Sequence, residues 1–455
     1  MNLGPDERRA LAAQGEPAVP TFEYGQSRVY LTPQNPFGTI SRSDPERSPG
    51  AVDLQLDPQG RLRWLRVIPS KEPANGAAAA FDWNRLFSAA GLDMSRWTRA
   101  DAAEIPPVPF DAQAAWTGTL PNLPKATLRI EAAAWKGRPV YFEMFGPWRP
   151  DRRPALSARA DPPVGVIVIF VLVAISAPLF AVRNLRTSRG DLAGAARLGV
   201  ILLIGNFATG LLTIHHTASV DEIRILLARL GLALLVGGAG WTLYMAVEPY
   251  VRRHWPQALI GWTRALGGNF RDPMVAGHIL VGIAAGAVLA LIFMAQGHLR
   301  GNLLGIPTLE AKTAVADWFN VTTSPIVALL YFFIFLLLRL VLRRTWIAVI
   351  AAVALAVFAN LAGPAAAGTL SPAVVVLGLG ISLYVAVGVR FGVLALAAML
   401  FALLSFQRYP LTPNFSAWFA PLGLLNLALM MAIVVWCFKN ALGGRKVFKS
   451  DILES

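Results

Sequence analysis

Past Asp161 the chain falls into long apolar runs separated by short polar breaks; before it, no apolar run is long enough to cross a bilayer. The first run, Val164–Val182, holds 19 residues and no charge. At 1.5 Å per residue that is about 28 Å, close to the thickness of a bilayer core. Further runs follow at Leu198–Ile214, Ile225–Val247, Met274–Ala295, Val321–Leu342, Trp346–Gly363, Pro372–Val389, Phe391–Phe406 and Ala417–Phe438. Pro372–Val389 and Phe391–Phe406 together cover 35 residues, about 52 Å as one helix and too long for a single crossing. A tight hairpin near Gly388, Arg390 and Gly392 accounts for the excess. The pattern predicts an integral membrane all-α bundle of about nine transmembrane helices over residues 163–455, preceded by a small soluble α+β domain over residues 1–162.

Within the polar part, Ala51–Val67 reads as a strand pair around Asp57-Pro58-Gln59-Gly60, a turn-forming sequence. Phe81–Gly91 reads as a short helix that Asp82 can cap and Gly91 ends. Ala126–Phe145 reads as a second hairpin around Lys136-Gly137-Arg138. Proline-rich stretches at Pro106–Pro109 and Pro147–Pro163 join these pieces to each other and to the apolar part.

Charge sharpens the picture. The net charge of +14 is divided unevenly: residues 1–162 carry 20 basic and 18 acidic side chains, residues 163–455 carry 21 and 9. The basic surplus therefore lies in the short breaks between apolar runs, as in cytoplasmic loops of membrane proteins, and argues against nucleic-acid binding, which needs a soluble basic face. With the first run crossing from outside to inside, the inner breaks hold 15 Lys/Arg and the outer ones 4. That bias predicts a multi-pass membrane protein, its N-terminal domain outside and its C-terminus cytoplasmic. The single cysteine, Cys437, lies in the last apolar run and permits no internal disulfide.

The inner break Glu248–Pro273 is the most individual segment. Trp255, Leu259, Ile260, Trp262 and Leu266 fall near one helical face with Arg264 off it. This pattern suits an amphipathic helix in the inner headgroup layer; an ordinary connecting helix has the same pattern. Glu248 and Arg252, four residues apart, are placed to pair. With Arg253, Arg271 and Asp272 these residues make the candidate site for headgroup contact and for coupling to a cytoplasmic partner. His215 and His216, near Asp221 and Glu222, are weak metal candidates, since adjacent residues on a helix point about 100° apart. His278 lies one turn into an apolar run at the inner side, where a neutral imidazole suffices. Phosphate-loop, zinc-protease, serine-nucleophile and kinase signatures are all absent from the sequence, and no cofactor is expected. No run holds a central Asp, Glu or Lys, which disfavours a proton-coupled transporter or a membrane-embedded enzyme.

From Glu248-Pro-Tyr-Val-Arg-Arg-His-Trp-Pro256 through Leu259-Ile-Gly-Trp-Thr-Arg-Ala-Leu266 to Phe270-Arg-Asp-Pro273, the sequence resembles the C-terminal membrane region of large bacterial serine/threonine protein kinases. Asn35-Pro-Phe-Gly38, Leu56-Asp-Pro-Gln-Gly-Arg-Leu62, Leu86-Phe-Ser-Ala-Ala-Gly-Leu-Asp93 and Ile130-Glu-Ala-Ala-Ala-Trp-Lys-Gly-Arg-Pro139 agree in order. The resemblance implies a non-catalytic sensor or anchor module, partnered by the bilayer and by a cytoplasmic kinase domain or a second copy of itself, with a ligand it does not name. No catalytic residue carries over, because the kinase domain and the crossing that follows it in those proteins have no counterpart in the sequence. The alternative is a multi-span transporter or permease-like protein. Residues 1–20 show no signal-peptide core, so the expectation is that the chain derives from a longer kinase.

Overall fold

The computed structural model describes residues 21–70, 81–146, 164–299, 311–361, 372–416 and 420–443, except positions 30, 32, 34, 36–37, 41–47, 122, 322, 410, 413 and 417–419. It separates into two compact units, one built mainly from residues up to Arg159 and one from Ala160 onward.

Among the described residues, the first unit is a seven-stranded antiparallel sheet carrying a short α-helix and a single 3-10 turn at Met94–Arg96. Its strands are β1 (Phe22–Gln26), β2 (Val52–Leu56), β3 (Leu62–Val67), β4 (Thr98–Ala100), β5 (Ala112–Leu120), β6 (Leu123–Trp135) and β7 (Arg138–Phe145), in the order β1-β2-β3-β7-β6-β5-β4. Both expected hairpins are present. β2 and β3 turn at Asp57–Gly60, where Gly60 has φ +76°. β6 and β7 turn at Lys136 and Gly137, both at positive φ (51° and 71°), the combination that matches strand twist in a two-residue loop. Helix α1 (Asn84–Ala89) lies within the expected Phe81–Gly91, and Asp82 Oδ1 accepts the Asn84 N–H at 3.1 Å. Central β6 is buried on both faces. Leu128, Ile130 and Ala132 join Phe87, Trp97 and Trp116 in one core, while Ala133 meets Val108, Val140 and Tyr141 on the other side. Aromatic edges lock the first core, with Phe87 and Trp116 T-shaped at 5.1 Å.

Two buried carboxylates of this unit are fully dressed. Asp57 accepts from Arg61 Nε at 2.7 Å and Arg63 Nη2 at 2.8 Å, and from the N–H groups of Gln59 and Arg61. Glu131 accepts from Arg129 Nε at 2.8 Å and from the N–H groups of Ala103 and Glu104. Burial raises the Asp57 pKa, but the Arg61 N–H and the two guanidinium groups outweigh it and hold the carboxyl below its usual range.

The second unit is helical. Its helices are α2 (Val164–Arg186), α3 (Leu192–Thr213), α4 (Asp221–His254), α5 (Gln257–Leu266), α6 (Pro273–Leu299), α7 (Ala311–Val321), α8 (Ser324–Leu342), α9 (Thr345–Leu361), α10 (Pro372–Arg408) and α11 (Ala420–Ala441). Among the described residues, seven helical segments are long and apolar enough to cross a membrane, against nine expected from hydropathy. The difference has two local causes. The run Trp346–Gly363 forms α9, a helix of 17 residues. The runs Pro372–Val389 and Phe391–Phe406 form the single element α10, interrupted at Gly392 with φ 85° and ψ −167°.

That interruption reverses the chain. A Cβ at Gly388 would lie 3.4 Å from Leu396 Cδ2, although eight residues of straight helix span about 12 Å. Both halves of α10 run along α6: Gly380 faces Leu289 and Ile292, while Ala398 and Ala402 face Gly282 and Gly286.

Candidate functional site

The candidate residues of the inner break gather where α4, α5 and α6 meet. Tyr244, Glu248 and Arg252 are spaced four apart on α4 and so share one face. Tyr244 and Glu248 are wholly buried. Glu248 Oε1 pairs with the Arg252 guanidinium, as the spacing predicts. Glu248 Oε2 accepts the Asp191 N–H at 3.4 Å, and Tyr244 Oη donates to Asp191 Oδ2 at 3.3 Å. Asp191 in turn caps α3, its Oδ1 accepting the Gly194 N–H at 2.9 Å. Asn184 Nδ2 donates to the Met245 carbonyl at 2.8 Å. The short link between α2 and α3 is therefore fastened to α4 by hydrogen bonds from both its ends.

Helix α5 lies on this framework with its apolar side inward. Leu259 and Trp262 are buried, Arg264 is exposed, and the Trp262 ring sits 6.4 Å from that of Tyr244. Trp255, half-buried, meets Phe335 at 5.8 Å. The apolar side meets protein: Gly261 approaches His278, whose Nδ1 would lie 2.5 Å from a Cβ there, and Ala258 backs onto Gly392. Asp272 caps α6 by accepting the Met274 N–H at 2.8 Å and pairs with Arg264 at 2.8 Å. Burial raises the Asp272 pKa, but the N–H donors of Met274 and Val275 and the Arg264 charge overcome it, leaving the net shift downward. Arg253 and Arg271 are exposed and, among the described residues, unpaired. The corner thus presents cations outward around the buried Glu248 carboxylate, which Arg252 neutralises by ion pairing, an arrangement that can attract anions.

The metal candidates do not assemble a site. His216 Nδ1 lies 2.6 Å from Glu222 Oε1. No group of three His, Cys, Asp or Glu positioned for a metal occurs among the described residues, whereas zinc takes three or four protein ligands. Two features escape the hydropathy reading. Arg229 on α4 is buried, its Nη2 donating to Thr213 Oγ1 at 2.6 Å, and its Nε has no partner among the described residues. A cavity of about 390 Å³, open on one side, is bounded by α2, α6, α8, α9 and α10 and lined by apolar side chains, glycines and the tyrosines Tyr331 and Tyr384.

No family model matches the chain, and neither a curated protein nor a solved structure is found to resemble it.

Proposed function

We propose that this chain is the membrane-embedded, non-catalytic sensor and anchor module of a bacterial transmembrane serine/threonine kinase system. In this reading the sheet domain lies outside the inner membrane and receives a signal, and the bundle crosses nine times. The finer count takes α9 as one crossing and the two halves of α10 as two. The loop bias of 15 basic residues to 4 supports the orientation, with the bilayer as constant partner and a kinase domain or a second copy of the chain at the inner face.

The observation that carries the proposal is the seating of α5. Its inward side is clamped between His278 and the turn at Gly392, while Arg252, Arg253, Arg264 and Arg271 surround it facing outward. A short helix held by the bundle and ringed by cations is a mechanical link between the bundle and a cytoplasmic surface. The test co-reconstitutes the full chain with a bacterial serine/threonine kinase domain and follows autophosphorylation. Charge reversal at Arg253 and Arg271 is expected to change the rate at least about threefold. Unchanged phosphorylation, together with solute uptake by the same vesicles, would turn the assignment to a transporter. The cavity is the observation in favour of that second reading, although no charged group lines it among the described residues.

A further inference from the structure

One hydroxyl of the cavity lining, that of Tyr384, is buried without a hydrogen-bond partner among the described residues. Its ring meets Tyr331 edge-on at 4.8 Å. Phe293, Phe332 and Phe335 complete an aromatic lining. Tyr331 and Val389 are at the same time about half exposed, 45% and 51%, so the cavity opens sideways on the face that lipid covers.

Depth restricts what can enter. Tyr384 precedes Arg390, the basic residue at the hairpin turn, by six residues, or about 9 Å of helix rise. With Arg390 at the inner interface, the hydroxyl lies in hydrocarbon, below the phosphates and esters of phospholipids. Water is scarce there, and an unpaired hydroxyl is costly. A plain acyl chain fills volume but brings no acceptor. A charged molecule finds no counter-charge among the described residues of the lining. What satisfies the hydroxyl, the aromatic walls and the lateral opening together is an uncharged ring bearing a carbonyl, carried in the bilayer. A volume of about 390 Å³ falls within the usual range for small-molecule sites and accommodates such a ring with the start of a tail.

We propose that this cavity binds a membrane-dissolved ring carbonyl compound of the quinone type, with Tyr384 Oη donating a hydrogen bond to a ring carbonyl. The inference concerns binding and does not depend on the signalling reading. It is tested with the full chain in lipid nanodiscs, using a radiolabelled short-tailed benzoquinone and empty discs as the blank. One saturable site is expected. Tyr384→Phe, which removes a single oxygen, is expected to weaken binding about 5- to 30-fold, and Ala352→Trp, which fills the cavity, to abolish it. Decylbenzene, matched in shape but without an acceptor, is expected to compete poorly on the native chain and as well as the quinone on Tyr384→Phe. A photoreactive azidobenzoquinone should label the peptides carrying Tyr331 and Tyr384, a readout that stands even where Ala352→Trp does not fold. Equal quinone binding by the native chain and Tyr384→Phe, equal competition by decylbenzene on the native chain, labelling elsewhere, or no uptake above empty discs would each overturn the proposal.

Discussion

Replacing Gly392 by alanine perturbs the point where the α10 hairpin and α5 touch. The residue has φ 85° and ψ −167°, a region open to glycine and strained for any residue with a Cβ; the backbone cost alone is about 1–3 kcal/mol. The added methyl would also overlap the Ala258 carbonyl oxygen and lie 2.6 Å from Ala258 Cα and 2.7 Å from its carbonyl carbon. These are backbone atoms, which cannot rotate aside, so α5 must retreat by roughly an ångström or more, and overpacking adds about 1–3 kcal/mol. Gly392→Ala is therefore expected to destabilise the helical unit by roughly 2–6 kcal/mol. Thermal unfolding of the purified chain in detergent, followed by tryptophan fluorescence, should show a midpoint lower by at least about 5 °C. Hydrogen exchange should quicken across residues 257–266. Gly277→Ala is the control, because a Cβ there has nothing within 4 Å; it should leave the midpoint unchanged or slightly raised. A Gly392→Ala protein that unfolds with its Gly277→Ala counterpart, with α5 exchange unaltered, would show that the turn does not brace α5.

At the α4 corner, Arg252→Ala leaves the buried Glu248 carboxylate without its cation; with Arg252 itself more than half exposed, the loss should be about 1–3 kcal/mol. Adding Glu248→Gln should recover most of it, and a double-mutant cycle with zero coupling would refute the pairing. In the sheet domain, the lowered Asp57 pKa makes its contribution present above the ordinary value near 3.8 and lost as pH falls through the folded-state value. Asp57→Asn should cost about 2–4 kcal/mol at neutral pH and flatten the acid limb of a pH–stability curve; an unchanged acid limb would assign that limb to other groups. A cysteine at exposed Ser95 should react with an impermeant maleimide in intact cells, and one at exposed Arg253 only after permeabilisation; the reverse pattern would invert the orientation.

Hydropathy located every long helix of the second unit, because length and apolarity are properties of contiguous sequence. It gave about nine crossings, against seven segments long and apolar enough to cross among the described residues. The excess length of Pro372–Arg408 pointed to a fold-back near Gly392, but the backbone angle that makes it, φ 85° at Gly392, is not written in its neighbours Arg390 and Phe391. In the sheet domain, the two hairpins were legible from Asp57–Gly60 and Lys136–Gly137, where a turn chemistry leaves a local mark. Strands β1, β4 and β5 were not. β5 reads Ala112-Gln-Ala-Ala-Trp-Thr-Gly-Thr-Leu120, too alanine-rich for a clear period, and it is held as a strand by pairing with β6. The Glu248–Arg252 pair was visible from spacing. Its tie to Asp191 was not, since that contact joins residues 57 positions apart. Arg229 sits four residues into an apolar run, a place where an arginine reads equally as an end marker.

The Gly282–Gly286 spacing acquires meaning only from its partner. A Cβ at either position would overlap a backbone carbonyl of α10, that of Ala395 or Met399, and lie 2.6 or 2.7 Å from the Ala398 or Ala402 methyl. Between helices in lipid there is little hydrophobic drive to associate, so close backbone approach of this kind supplies much of the packing energy. It also sets position. With the second half of α10 pressed against α6, the hairpin turn has one place to go. There Gly392 meets Ala258, while Leu396, Leu400 and Leu403 form a wall of the cavity. The first half completes the enclosure through Gly380, Tyr384 and Gly388. Two glycines one helical turn apart on α6 thereby fix both the support under α5 and the shape of the cavity. A change in the separation of the α10 halves must then be taken up either at the Gly392–Ala258 contact or at the α6 seam, and the seam, which has no room for even one added Cβ at Gly282 or Gly286, has little slack.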